Sequence, residues 1–234
     1  MLYNNNRDPE KLLRLIKDSL SKWESFAENE KKAEPLEPET IDSRYTVSLP
    51  EGGLELRVRT RVLGGYEETN DRWRKIFQNG LGRDNFWLSA AEHKALASGS
   101  IPESVKVRLA RFHLVDGTRG EPPMWKRDEI RALELSLAEN QIAGKVHLET
   151  DDGSRGFEAE IRGEIEVENQ QVTRLDLVVL GEFWGEGRYT RGAPEGRFPL
   201  VVTLECSDGT DLADGIPPQG SRGWLDGYMK VSRD

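Results

Sequence analysis

Cysteine is nearly missing from this chain: Cys206 is the only one among 234 residues. That excludes an intrachain disulfide and any zinc or iron–sulfur centre built on cysteines. The thiol lies in LVVTLEC, which reads as a strand, so a buried, inert sulfhydryl is expected. Histidine is almost as scarce, with three residues, so a histidine-rich metal site would consume nearly all of them. No run approaches the ~20 apolar residues that cross a bilayer. The opening MLYNNNRDPE contains no basic-then-apolar leader. As written the chain therefore reads as cytoplasmic, with an exported protein that has lost its leader as the alternative. Dense Lys/Arg clusters are also lacking, and 33 basic against 42 acidic residues leave a net charge of −9. Such a surface repels phosphate backbones, which argues against nucleic acid as a partner.

Familiar nucleotide and hydrolase signatures are absent as well. No serine sits in G-x-S-x-G, and GEGRYTRGAPEG lacks the Lys-Ser/Thr and the strand–loop–helix setting of a phosphate-binding loop. No dinucleotide fingerprint is present either. Neither a cofactor nor a bound metal is expected.

What remains is a chain with 36% hydrophobic residues and six tryptophans, enough for one core-bearing domain with a small appendage. Asp8-Pro9-Glu10 is a helix start, and Leu12, Ile16, Leu20, Trp23 and Ala27 follow at helical spacing, predicting a helix to about Lys31. That apolar stripe can dock on the main body or hold a partner. EKKAEPLEPET reads as a linker, which divides the chain into residues 1–40, helix and linker, and 41–234, a β-rich domain.

From residue 44 the period changes to two. LELRVRTRV alternates over 54–62, with RYTVSL expected as its partner across the PEGG turn. Ser89-Ala90-Ala91-Glu92 forms a capping box that predicts a helix over 90–98, stopped by Gly99, with His93 exposed on it. Residues 101–112 fit both periods and are expected to pass from helix into strand near Phe112. Further strands are predicted at 129–137, 142–150, 156–168, 172–183 and 197–206. FEAEIRGEIEV is the clearest, with Phe157, Ala159, Ile161, Ile165 and Val167 on one face and acids on the other. The expected fold is mainly β (α+β): an antiparallel meander forming a barrel-like or sandwich-like sheet, with short helices and an N-terminal helix.

Candidate functional residues fall in two stretches. FHLVDGTRGEPPMW gathers His113, Asp116, Arg119, Glu121 and Trp125, a set that could serve as general acids and bases or as ordinary turn and ion-pair chemistry. FWGEGRYTRGAPEGRF brings Trp184, Glu186, Arg188 and Tyr189 to one end of a sheet, together with Phe198, where aromatics either plug the core or wall a ligand mouth. Arg188, Arg191 and Arg197 are expected to pair with Glu182, Glu186 and Glu195. A weaker pair, His147 and Glu149, shares one face of a strand, the spacing of two metal ligands. Three turns read G-[ST]-R-G, at 117–120, 153–156 and 220–223; each arginine can reach an acid or lie across a ring.

The phrases RFHLVDGTRGEPPMW, GKVHLETDDGSRGFEAEIRG, VTRLDLVVLGEFWGEGRYTRGAPEGRFPL and IPPQGSRGW resemble a family of bacterial proteins of unknown function, over the run from Asp84 to Trp224. The resemblance implies no activity, cofactor or site residue; members often look exported. The functional expectation is a non-enzymatic ligand-binding or structural/interaction module, with a small molecule or a protein as partner. The alternative is a hydrolase or metal-dependent enzyme using His113 with Asp116 and Glu121, or His147 with Glu149.

Overall fold

The period-two patterning becomes a single antiparallel sheet in the computed structural model of the chain, which describes residues 8–32 and 46–231. Its strands are β1 (Leu54–Val62), β2 (Gly82–Leu88), β3 (Ile130–Ala138), β4 (Gln141–Glu149), β5 (Gly156–Glu168), β6 (Gln171–Trp184) and β7 (Arg197–Cys206). They lie in the order β2-β1-β7-β6-β5-β4-β3. The run from β3 to β7 is a meander. Glu139-Asn140 and Asn169-Gln170 turn two of its hairpins with positive φ at both residues, the backbone twist that two-residue hairpins favour.

The sheet is open, which corrects the expectation of a barrel or sandwich: β2 and β3 are edges that never meet, and there is no second sheet among the described residues. The physical reason lies in what covers the apolar face. Val58, Leu200, Leu177, Ile161 and Val146 project inward from successive strands and are buried. Against them pack α3 (Ala90–Ala97), α4 (Glu103–Arg108), a π-helical turn (Leu109–His113) and α5 (Leu225–Lys230), so closure is supplied by helices. Phe157, Phe183 and Phe198 stack in register across β5, β6 and β7 at ring separations of 5.6–5.7 Å. Truncating such a buried ring costs about 3–5 kcal/mol.

Four further expectations are corrected. β1 does not pair with RYTVSL, of which residues 46–49 form no strand and the rest lies outside the described residues; its neighbours are β2 and β7. Residues 101–113 hold no strand. All of Leu109–His113 are buried, so the segment has no wet face and its periodicity cannot tell helix from strand. His93 is buried, not exposed: Nε2 accepts from the Val172 amide at 3.0 Å and Nδ1 lies 3.1 Å from the Gly52 carbonyl. Helix α1 (Pro9–Glu24) starts where expected, with the Asp8 carboxylate accepting from the amides of Glu10 and Lys11, but stops at the Ser25 cap rather than near Lys31. The remaining helix, α2 (Arg72–Gln78), is capped by Asp71. By its internal contacts the chain divides into two units, Met1–Tyr45 and Thr46–Asp234; the sheet belongs to the second.

The C-terminal segment wraps the β2 edge. On one face of β2, Asn85 donates to the carbonyls of Ala213, Asp214 and Ile216. On the other, Asp84 accepts from the amide and side chain of Gln219. Arg57 and Arg83 converge on buried Asp214, which Ser207 also donates to. The guanidinium of Arg57 draws Asp214 down to about 2, against its burial. This wrap, together with the π-helical turn, frames the cavities described next.

Candidate functional site

Two adjoining concavities open between β2, the loop after the π-helical turn and the C-terminal wrap. The inner one is a recess of about 190 Å³ lined by Val58, Thr60, Asp84, His113, Gly117 and Gln219 among others. The outer one is a cleft of about 610 Å³ with walls from Phe112, Pro122, Pro123, Met124, Tyr189 and Trp224. Pro122 and Gln219 line both, so the recess and the cleft share a wall. Aromatic and apolar walls with a few converging polar groups are the usual make-up of a small-molecule site.

His113, at the end of the π-helical turn, is fully buried. Its Nε2 lies 2.8 Å from the Tyr228 hydroxyl, and Nδ1 lies 3.1 Å from Asp84 Oδ2, close but poorly aligned. Burial pushes the Tyr228 phenol well up, so it keeps its proton and must place it on an acceptor. With Nε2 as that acceptor, the ring proton lies on Nδ1, facing Asp84. The ring is fully buried, so neither nitrogen faces open space.

Asp116 and Glu121 do not join His113. Buried Asp116 accepts from the Thr118 amide and hydroxyl and pairs with Arg119. Arg119 in turn donates to the Tyr66 hydroxyl and the Thr190 carbonyl, which ties this loop to the one that follows β6. Two glycines allow the two loops to close. A Cβ at Gly120, whose φ is +147°, would meet the Tyr189 carbonyl at 2.3 Å, and one at Gly187 would meet Pro123 Cδ at 2.4 Å. Exposed Glu121 stands instead on the outer cleft, as do Arg188 and Tyr189, with the Arg188 guanidinium 5.3 Å from the Tyr189 ring. Buried Trp125 forms part of the cleft floor and donates from Nε1 to the Leu114 carbonyl.

Trp184 and Glu186 lie elsewhere. Trp184 pairs in register with Arg197 while Phe183 pairs with Phe198, so Trp184 and Phe198 project to opposite faces of the sheet. The Arg197 guanidinium covers the Trp184 ring at 4.0 Å and bonds to Glu158, not to the expected Glu182 or Glu195. Glu186 accepts from the amides of Gly192 and Ala193 and so closes its own loop. The expected aromatic mouth at that end of the sheet is thus replaced by the cleft on its other side, which retains Tyr189 and Arg188.

The remaining motifs serve the fold. Arg155 is buried with its guanidinium 3.8 Å from the Trp125 ring, donating to the Pro123 carbonyl. Burial pushes it down to about 10, opposed by Glu129. Arg119 leans on Phe198. The G-[ST]-R-G arginines 119 and 155 therefore act in separate places, against an acid and a ring. His147 does stand near Glu149 and Glu158, each at 3.5 Å. Among the described residues, however, no group of three or more His, Cys, Asp or Glu side chains is placed to hold a metal ion. No helix among them is long and apolar enough to cross a membrane.

Sequence reasoning missed Asp84, Gln219 and Tyr228. Gln219 stands in IPPQGSRGW, a phrase that carries the family resemblance, with a left-handed backbone at φ 50°. The chain matches no protein-family model, no curated protein and no solved structure, which accords with its resemblance to proteins of unknown function.

Proposed function

We propose that this protein is a non-enzymatic small-molecule-binding module and that the cleft with its inner recess is the ligand site. The observation that carries the reading is the convergence of Asp84, Gln219 and His113 on a recess that shares Pro122 and Gln219 with a roomy, aromatic-walled cleft. Those polar groups come from β2, the C-terminal wrap and the π-helical turn, so three distant segments meet there. Binding is favoured over catalysis because the His113 side chain is fully buried with Nε2 bonded to Tyr228, and Asp116 is committed to Thr118 and Arg119. A general base needs a free lone pair within reach of the reacting proton. Glu121, the remaining carboxylate of that sequence cluster, has neither burial nor a fixed partner to tune it.

The test is a fragment screen against ¹⁵N-labelled full-length protein. Amide shifts for hits are expected to cluster at Gly117, Gly120, Gln219, Gly220 and Trp224. Hits that perturb only other surfaces, such as the outward face of β5 and β6, would defeat the reading.

A further inference from the structure

We propose that the inner recess takes an organic cation, an ammonium or guanidinium group, against Asp84, while the apolar body of the same ligand lies in the outer cleft. The inference rests on the cleft being the ligand site and names the chemistry that site selects.

Asp84 is the reason. Its Oδ1 accepts from the Gln219 amide at 3.0 Å and its Oδ2 from Gln219 Nε2 at 2.8 Å, with His113 Nδ1 beyond. The two Gln219 donors are neutral amides, which orient the carboxylate without adding a counter-charge. Among the described residues no lysine or arginine lies within ion-pair distance of Asp84. Arg83, its neighbour at the recess, is held by Asp211 and Asp214, which lie across the strand. The carboxylate side chain nonetheless remains 23% exposed, and it is exposed into a recess. A partly exposed carboxylate held by neutral amide donors, with no lysine or arginine in ion-pair reach, is a site prepared for a cation from outside.

The surroundings fit the same guest. Thr60 adds a buried hydroxyl, and Val58, Val115 and Pro122 give apolar sides that strengthen the charge interaction by excluding water. Tyr189 and Trp224 along the outer cleft offer rings, which attract cations on the way in and stack on an apolar body afterwards. The cations of the outer cleft do not compete for Asp84: Arg188 lies over the Tyr189 ring, Lys126 stands 4.0 Å from Glu129, and Arg111 donates to the Trp125 carbonyl. A recess of about 190 Å³ has room for a charged head with a short alkyl stem.

Gly117 supplies a control. It lines the recess, and a Cβ added there meets no atom within 4 Å, so a larger side chain fills space without displacing the fold. The experiment titrates the full-length protein with three probes of one shape: 2-phenylethylammonium, 2-phenylethanol and 3-phenylpropionate. The ammonium is expected to bind about tenfold tighter than the alcohol, the carboxylate weakest of all, with shifts at Gly117 and Gln219. Asp84→Asn is expected to erase the preference for the ammonium while sparing the alcohol, and Gly117→Leu to weaken all three. Equal binding of ammonium and alcohol, or a preference that survives Asp84→Asn, overturns the cation assignment and leaves the cleft standing. Absence of all binding, or binding indifferent to Gly117→Leu, overturns the cleft itself. Should Asp84→Asn not fold, the order of the three probes on the unaltered protein decides.

Discussion

Arg108→Met is the perturbation whose size the structure sets best. Arg108 is fully buried and joins the helical layer to the sheet: its guanidinium pairs with Glu92 of α3 and donates to the Met229 carbonyl of α5. It also lies 5.7 Å from the Phe86 ring and 5.4 Å from that of Tyr228. Methionine keeps much of the volume and loses the charge. Breaking a buried pair from one side costs about 3–5 kcal/mol, because the surviving ion stays buried. Glu92 keeps its bonds from Ser89 and Ser104, so the lower end, about 3 kcal/mol, applies. For a chain of this size that is a fall in Tm of about 6–12 °C. Arg108→Met with Glu92→Gln is expected to recover about 1–2 kcal/mol of the loss, since the orphan charge goes. Burial raises the Glu92 carboxyl, but Ser104 and Arg108 outweigh it and hold the group below its ordinary 4.5. A depressed folded value means stability present above 4.5 and lost as pH falls through the folded value. Urea unfolding followed by tryptophan fluorescence measures all of this. A loss below about 1 kcal/mol, as at exposed pairs, or strict additivity of the two substitutions, would refute the reasoning.

Other outcomes follow from single contacts. Gly156→Val places a Cβ 2.0 Å from the Trp184 ring, so the indole is expected to leave its bond to the Gly153 carbonyl, seen as a red-shifted emission; an unchanged spectrum with retained stability contradicts the packing. Asp214→Asn is expected to remove a stabilising contribution that in the parent is complete above 3.8 and fades as pH falls toward about 2, measured as the pH dependence of the urea midpoint of both proteins. Burial pushes the Cys206 thiol up to about 11, so labelling by a disulfide reagent at about pH 8 is expected to be slow in buffer and fast in urea. Rapid labelling of the folded chain would mean that the strand is open there.

Legibility followed locality. β1, β5 and β7 occupy the residues their alternation predicts, because side-chain period and burial are the same fact along a strand with one wet face. The α3 capping box reads directly, since its bonds span three residues. The covering of the sheet did not read, because one apolar face can be buried by a second sheet, by closure or by helices, and the covering helices α4 and α5 are only six residues each. The partner of β1 was hidden for a related reason: β2 is buried on both faces at Phe86, Trp87 and Leu88, so it lacks alternation. Glu121, Arg188 and Tyr189, singled out by their glycine-rich, aromatic context, line the outer cleft. Asp84 and Gln219 are 135 positions apart in sequence, and no local pattern joins them.

The recess depends on His113 Nε2 accepting from the Tyr228 hydroxyl while Asp84 faces the cavity. The long-range ¹H–¹⁵N spectrum of the His113 imidazole reads this directly. The account predicts a proton on Nδ1 and a bare, hydrogen-bonded Nε2. A ring protonated at Nε2 would contradict it.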